Sequence, residues 1–154
     1  MQLFSKVISK LLKKRITISS AESCTGGLLS TKFTSFSGIS KIYDLGLITY
    51  SNKSKSKLLK IPKSYINKHG AVSFEVAKKM VINLHKLSRS NLCISTTGIA
   101  GPKGGTKYKP IGLVFIGIKF KKKIFILEKL FNGSRKQIQN KTVECIFKEI
   151  DKLI

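Results

Sequence analysis

The 154 residues, 42% of them hydrophobic, are enough for one compact domain with a core and too few for two, so we expect a single domain over residues 1–154. The chain has no run of 18 apolar residues, and its N-terminus alternates apolar and basic residues where a signal peptide is continuously apolar, which favours a cytoplasmic protein without a membrane partner. The net charge of +23 would attract nucleic acid, but only three of the 30 basic residues are arginine and the lysines are spread along the whole chain, so we expect no specific nucleic-acid partner.

Hydrophobic periodicity and turn residues divide the first half of the chain into alternating helices and strands. Apolar residues three and four apart indicate amphipathic helices, whereas short apolar runs between turn residues indicate strands. Gly46 lies inside one of these runs, where it weakens the strand or marks a bulge. In chain order, the predicted elements are a helix over residues 3–12, a strand over 15–19, a helix from between Glu22 and Thr25 to about Phe36, and a buried strand over 42–51.

The second half begins with a lysine-rich connector, residues 53–70, that contains one short helix. Pro62 suits the first turn of that helix and Gly70 its C-terminal end, and Ser73 is a favourable N-cap for the helix that follows. Strands joined first through helices and then by a hairpin predict a mixed sheet with helices packed on both faces. In chain order, the remaining predicted elements are a helix from residue 74 to about Leu87 with one apolar face, a strand over 91–97, a glycine-rich loop over 98–110, an antiparallel hairpin of strands over 111–120 and 123–131, and a closing helix capped by Ser134.

Two short stretches, residues 26–27 and 98–105, hold half of the 12 glycines. Both follow predicted strands, and ligands of α/β sheets bind at the carboxyl ends of the strands. At residues 23–27, free N–H groups at the start of a helix would suit a phosphate or the oxyanion of acyl transfer. At residues 98–105, main-chain N–H groups and nearby lysines such as Lys103 would form an anion-binding nest, unless the loop is merely solvated.

Several kinds of site are disfavoured by the residues present. The three cysteines include no CxxC pair and no ligand types cluster at metal spacing, so we expect neither a disulfide framework nor a metal site. The chain contains neither GxxxxGK[ST] nor GxGxxG, the motifs of phosphate-binding and dinucleotide-binding loops. A Ser-His-Asp triad would have to use His69 or His85, each of which is better explained as a surface or capping residue of a helix, with His69 the better catalytic candidate.

Residues 18–31, ISSAESCTGGLLST, contain two candidate nucleophiles, Ser23 and Cys24, between which the local sequence does not choose. Because histidine is scarce, the candidate base is a lysine that has lost its charge through burial or like-charged neighbours. Residues 49–57, TYSNKSKSK, supply Tyr50 and three lysines, at positions 53, 55 and 57. Alternatively, Ser23 only caps the helix and the lysines belong to a solvated connector, which the local sequence favours for the lysines.

Five motifs follow one another along the chain: AESCTGG, ITYSNKSK, HGAVS, TGIAGPKGG and KPIG. In this order and spacing they resemble the C-terminal domain of the competence/damage-inducible protein CinA, which is also found alone as the nicotinamide-nucleotide amidase PncC. The resemblance spans nearly the whole chain. It does not include the N-terminal domain of full-length CinA, so we expect the stand-alone form. It implies a three-layer α/β/α sandwich around a mixed, mostly parallel five-stranded sheet, and a homodimer or higher homo-oligomer.

The resemblance also implies an activity in pyridine-nucleotide salvage, the hydrolysis of the carboxamide of nicotinamide mononucleotide to nicotinate mononucleotide and ammonia. The catalytic residues carried over from the family are Ser23 as nucleophile, Lys55 as base and Tyr50 as the group that orients or relays the proton, with neither metal nor cofactor. Cys24, one residue along a starting helix, would turn about 100° away and pack against the sheet. The expected substrate-binding residues are Thr25, Gly26, Gly27, Thr97, Gly98, Ala100, Gly101, Gly104, Gly105 and Arg135.

The closing motif departs from the family pattern. Relatives pair two arginines in GDRxxVR, whereas GSRKQIQ retains Arg135 but has Ser134 in place of the acid and Gln139 in place of the second arginine. If that arginine holds substrate or the subunit interface, we expect weaker affinity or assembly here. The alternative function is a non-catalytic nucleotide-binding regulatory module in competence or the DNA-damage response, which would gain support if Lys55 were exposed and distant from Ser23.

Overall fold

The computed structural model describes residues 2–154, and Met1 lies outside them. Within this range, helices and strands follow the predicted order, with one additional α-helix after the second strand. In chain order, the elements are α1 (Gln2–Lys13), β1 (Ile18–Glu22), α2 (Leu28–Thr34), a 3-10 helix (Ile39–Lys41), β2 (Tyr43–Ile48), α3 (Asn52–Leu59), α4 (Lys63–His69), α5 (Phe74–Ser88), β3 (Leu92–Gly98), β4 (Leu113–Phe120), β5 (Lys123–Leu130) and α6 (Arg135–Leu153).

The strands form one five-stranded sheet in the order β2-β1-β3-β4-β5. β1 pairs in parallel with both β2 and β3, whereas β4 runs antiparallel to its neighbours β3 and β5. Parallel pairing needs long crossovers, which the helices between the first three strands provide, whereas the tight turn at residues 121–122 permits only an antiparallel pair. The predicted mixed sheet is confirmed, and β4 is the one of its five strands that points the opposite way.

Helices cover both faces of the sheet because each strand alternates its side chains between two apolar layers. On one face, α1, α2 and α6 pack around Phe33 and Phe147, whose ring centroids lie 4.7 Å apart. On the other face, α5 places Met80 against the sheet, and residues of α3 and α4 belong to the same core. Adjacent residues of β3 divide between the layers, since Ile94 belongs to the first core and Cys93 to the second. These layers form the α/β/α arrangement.

The junction between β1 and α2 differs from the prediction. β1 ends at Glu22, which pairs with both neighbouring strands, so the chain is still in the sheet where a helix was expected to begin. Residues 23–27 form a turn, and α2 begins only at Leu28. The reason is conformational, because Gly26 and Gly27 have φ values of +57° and +100°, which a right-handed helix cannot contain.

β2 is an edge strand rather than a buried one. Its residues alternate between half-buried and exposed side chains, because successive side chains point to opposite faces and the two faces are covered unequally at this end of the sheet. The irregularity in its pairing lies at Asp44, between the paired residues Tyr43 and Leu45, and not at Gly46. Gly46 instead permits a close contact, since a Cβ at this position would lie 2.8 Å from the Tyr43 hydroxyl oxygen.

α3 is the helix that the sequence did not predict. Ser51 and Ser54 form a capping box at its N-terminus. Its lysine-rich sequence conceals the amphipathic pattern, because its only buried residues are Lys55 and Leu59, four positions apart on one face. The short helix predicted after it is confirmed as α4.

α5 is confirmed, with Ser73 as an N-cap whose hydroxyl accepts a hydrogen bond from the N–H of Val76. Phe74 and Leu87 were predicted on its apolar face, but they are 47% and 57% exposed at the two ends of the helix. The hairpin of β4 and β5 and the closing helix α6 follow the prediction, and Ser134 caps α6 as expected.

Candidate active site

Ser23 is the first residue after β1, at the edge of the sheet where the parallel strands end. Its N–H donates to the carbonyl oxygen of Thr96 at 3.0 Å and to the Thr96 hydroxyl oxygen at 3.3 Å. The residue is 7% exposed. The strand end and these contacts fix Ser23 at the position where ligands of α/β sheets bind.

Lys55 reaches Ser23 from α3. Its side chain is almost fully buried, and Nζ lies 3.0 Å from Ser23 Oγ. Burial lowers the pKa of Lys55 to about 8, because the buried ammonium loses its hydration. Lys53 and Lys57 on the same helix are exposed. The solvated connector favoured by the local sequence is therefore wrong for Lys55, although it describes these two neighbours.

The hydrogen-bond partners of Lys55 suit an amine that acts as a base. Nζ lies within donating distance of the carbonyl oxygens of Thr49, at 2.9 Å, and Tyr50, at 3.4 Å. A neutral amine has two N–H groups and one lone pair, so donation to both carbonyls leaves the lone pair for Ser23 Oγ. A protonated amine has three N–H groups, which match the same three oxygens after the proton has moved. Both protonation states therefore fit this environment.

The Tyr50 side chain lies at the mouth of the site, where it is 57% exposed. Its hydroxyl accepts a hydrogen bond from Arg135 Nη2 at 2.7 Å, and Arg135 Nη1 donates to the Gly101 carbonyl at 2.7 Å. The expected proton relay would need this hydroxyl beside Ser23 or Lys55. Instead, the main-chain carbonyl of Tyr50 contacts them, 3.5 Å from Ser23 Oγ and 3.4 Å from Lys55 Nζ. In this structure the hydroxyl therefore lies at the entrance with Arg135, and a part for Tyr50 in orienting or relaying the proton stays a prediction.

A cavity of about 280 Å³ brings the catalytic candidates together with most of the expected binding residues. Its lining includes three cationic side chains, Lys55, Lys103 and Arg135, and no carboxylate from the described part of the chain. Such a lining favours an anionic ligand. The expected binding residues that line the cavity are Thr97, Gly98, Ala100, Gly101, Gly104 and Arg135.

Some cavity residues were missed from the sequence, and one expected residue of the glycine-rich loop lies elsewhere. Each missed residue lies in one of the five motifs, which was a signal for the site. None of them carries a charged or nucleophilic group, so none was chosen as a site residue. Gly105 does not line the cavity; a Cβ there would lie 2.8 Å from a side-chain carbon of Ile111. The missed lining residues are Asn52, Ala71, Val72 and Ile99.

Thr25, Gly26 and Gly27, also expected to bind substrate, do not line this cavity. The N–H of Gly26 donates to the Ser23 carbonyl at 3.0 Å, and the N–H of Gly27 donates to Glu22 Oε2 at 3.0 Å. The Thr25 hydroxyl donates to the same carboxylate oxygen at 2.6 Å. The expectation that the Gly26 and Gly27 N–H groups hold an oxyanion or a phosphate is therefore wrong, because the turn itself already occupies them.

Cys24 is buried in the core that α1, α2 and α6 share with the sheet, as expected, and it also belongs to the cavity lining. Burial raises the pKa of its thiol to about 12, which keeps the sulfur protonated and a poor nucleophile. The helical geometry used to predict its burial is wrong, since Cys24 lies in the turn. Its carbonyl accepts a hydrogen bond from Gln139 Nε2 at 2.9 Å. Gln139, which departs from the closing motif described above, therefore stabilises this turn.

Neither His69 nor His85 lines the cavity, so neither is placed to form a catalytic triad with Ser23. His69 ends α4, with its ring against Tyr65 and Nδ1 3.8 Å from Glu75 Oε1, and His85 Nδ1 lies 3.1 Å from the Ser90 carbonyl oxygen. No group of three or more His, Cys, Asp or Glu residues is arranged to hold a metal ion within residues 2–154. Over the same residues, every helix is too short or too polar to cross a membrane.

Comparison with known proteins supplies a family. The model of the CinA C-terminal domain family matches residues 1–154. A relative from Clostridium botulinum (strain Okra / Type B1), named a competence-damage inducible protein, is 50% identical over 137 residues, which cover 89% of this chain and 34% of the relative. A protein of the same name from Thermoanaerobacter pseudethanolicus is 45% identical over 139 residues, 90% of this chain and 34% of that protein. The chain spans about a third of the length of these curated relatives.

Solved structures agree with that family. A competence/damage inducible protein from Agrobacterium tumefaciens matches with a TM-score of 0.93 and 32% identity, covering 99% of this chain and 93% of its own. The competence damage-inducible protein A from Klebsiella pneumoniae matches with a TM-score of 0.93 and 27% identity, covering 99% of this chain and 95% of its own. The fold is thus shared over almost the entire chain.

Proposed function

The chain belongs to the CinA C-terminal domain family, and we propose that it is an amidohydrolase in which Ser23 attacks the carbonyl carbon of a carboxamide. The observation that carries the proposal is the distance of 3.0 Å between Ser23 Oγ and the Nζ of a buried Lys55. A serine is a weak nucleophile unless a base takes its proton, and a lysine is a base only after burial has lowered its pKa. The contact of Lys55 with Ser23 Oγ and its lowered pKa support both conditions.

The reaction needs one group that takes and returns a proton. Lys55 accepts the Ser23 proton as Oγ bonds to the amide carbon, and the resulting ammonium returns it to nitrogen as the C–N bond breaks and ammonia leaves. A water that has given a proton to Lys55 then attacks the ester. Ser23 leaves with that proton, and the carboxylic acid product ionises. The Thr49 and Tyr50 carbonyls, which accept hydrogen bonds from Lys55, hold its amine in place through both steps.

The charge of the cavity supports an anionic substrate. Arg135 and Lys103 lie in its wall without an acidic residue beside them, so they suit the phosphate of a mononucleotide. Nicotinamide mononucleotide, the substrate implied by the family, carries both the phosphate and the carboxamide. We propose that the phosphate binds near these two cations, with the carboxamide at Ser23.

The test is the release of ammonia from nicotinamide mononucleotide by the purified protein. We expect turnover by the natural protein and none above background by Ser23→Ala. The matched control is Ser35→Ala, because Ser35 is exposed and lies at the C-terminal end of α2, away from the cavity lining. Full turnover by Ser23→Ala would overturn the proposal. Binding of the mononucleotide without ammonia release would instead support a regulatory nucleotide-binding module.

A further inference from the structure

Glu22 is a fully buried carboxylate immediately before Ser23, and it lies outside the cavity lining. Its Oε2 accepts hydrogen bonds from the Thr25 hydroxyl at 2.6 Å and from the N–H groups of Gly27 and Leu29 at 3.0 Å each. Its Oε1 accepts from the Ser30 N–H at 2.8 Å and the Ser30 hydroxyl at 2.6 Å. All of these groups donate, so the site requires a side chain that only accepts.

The carboxylate replaces the missing cap of α2. The N-cap residue Gly27 has no side chain to accept a hydrogen bond from the first turn, whose N–H groups would otherwise be buried without partners. From the preceding strand, Glu22 supplies its two carboxylate oxygens as acceptors for these N–H groups. Its negative charge lies at the positive end of the helix dipole. The strand, the turn and the helix are thereby joined at one side chain.

A directed chain of hydrogen bonds connects this carboxylate to Ser23. The Thr25 hydroxyl gives its hydrogen to Glu22, so in its 2.8 Å contact with the Thr96 hydroxyl it can only accept. The Thr96 hydroxyl therefore donates to Thr25, and its oxygen accepts from the Ser23 N–H at 3.3 Å. The carboxylate thus sets the direction of the two hydroxyl bonds, and the Ser23 N–H can only donate.

We propose that Glu22 is a positioning residue, which through Thr25 and Thr96 holds Ser23 Oγ within reach of Lys55 Nζ. This inference rests on the proposed function, because it assigns Glu22 a part in the same reaction. The effect requires no contact with substrate, since catalysis depends on the orientation of the attacking atom and a displacement of about 1 Å costs roughly 100-fold in rate. A cap that served only stability would leave the rate of the folded protein unchanged.

The decisive variant is Thr25→Val, which keeps the shape of the side chain and removes the link between Thr96 and Glu22. We expect kcat to fall by about 10- to 100-fold with KM within about twofold, because the attack geometry is lost and the cavity lining is not. Thr25→Ser restores the hydroxyl and should recover kcat to within about threefold. The matched control is Thr31→Val, at an exposed position on α2, which should behave like the natural protein.

A second variant and a second measurement separate a positioning role of Glu22 from a role in stability alone. Glu22→Gln replaces an acceptor oxygen by a donating NH2 facing the N–H groups of α2, so we expect both a lower Tm and a lower kcat per folded molecule. Labelling of Ser23 by a fluorophosphonate, followed by mass spectrometry, measures attack by Oγ without the natural substrate: an O–P bond forms, fluoride leaves and Lys55 takes the proton.

The outcomes distinguish the two proposals. If Thr25→Val keeps the kcat and labelling rate of the natural protein while its Tm falls, the network is only a helix cap and the inference is overturned. If the natural protein is labelled at Ser23 but releases no ammonia, the amidase proposal fails, and the labelling rates of the variants decide the role of Glu22. Failure of the natural protein to react with either reagent would overturn both.

Discussion

The β1–α2 turn, residues 23–27, and the glycine-rich loop, residues 99–112, follow neighbouring strands at the same edge of the sheet. Glu22 accepts from two of the turn's donors, the Thr25 hydroxyl and the Gly27 N–H, and three of the five turn residues, 23–25, are buried. In the loop, residues 102–108 are all exposed, and Tyr108 is 87% exposed. The two connections both contain glycine but differ in burial and in how many of their donors already have partners. The turn fixes the position of the Ser23 side chain, whereas the loop exposes groups that can contact a ligand.

After the loss of activity expected for Ser23→Ala, the largest effect on the reacting side is expected from Lys55→Met, which retains the volume of the side chain and removes the base. We expect kcat/KM for amide hydrolysis to fall by about 10³-fold, the usual contribution of a general base. Lys57→Met is the control, because Lys57 is exposed on the same helix, and it should stay within about twofold. Steady-state ammonia release measures both, and a Lys55→Met enzyme with more than about a tenth of the activity would contradict the role.

The pH dependence tests the same base without a mutation. With a Lys55 pKa of about 8, kcat/KM should rise by about tenfold between pH 7 and pH 9, as the amine loses its proton, and then level off. A profile that is flat over this range would contradict Lys55 as the base.

The same pKa affects folding stability with a defined sign. The pKa of Lys55 is lower in the folded protein than its ordinary value of 10.5, so between pH 8 and 10.5 the folded state binds fewer protons than the unfolded state. Its contribution to the free energy of unfolding therefore increases as the pH rises through this window. Denaturant unfolding at pH 7.5 and 10 should show that the free energy of unfolding of the natural protein rises relative to that of Lys55→Met, because the other titrating groups, such as Cys24, contribute to both proteins.

The smallest effect is expected on the loop side. Lys103→Ala removes an exposed cation of the cavity lining, so we expect KM for the mononucleotide to rise by about three- to tenfold with kcat within about twofold. Lys107→Ala is the matched control, since Lys107 is exposed on the same loop but does not line the cavity. A fall in kcat with unchanged KM in Lys103→Ala would contradict the division between a reacting turn and a binding loop.

Elements with strong local signals were predictable. α5, α6 and the hairpin have regular apolar spacing and recognisable caps, such as Ser73 and Ser134. α3 was missed because its buried face includes Lys55, which counts as polar in any pattern. The start of α2 was misplaced because Glu22 suits the first turn of a helix, whereas here it ends a strand and reaches forward to cap the helix from outside.

The sequence by itself determined the family, the fold class and the identity of the candidate reacting residues, because five motifs in order are specific and local patterns set most helices and strands. Only the tertiary structure decided what these residues can do. The contact of Ser23 with Lys55 spans 32 positions, and that of Tyr50 with Arg135 spans 85. Desolvation depends on such distant partners, so the lowered pKa of Lys55 and the place of the Tyr50 hydroxyl arise only when the sheet brings the segments together.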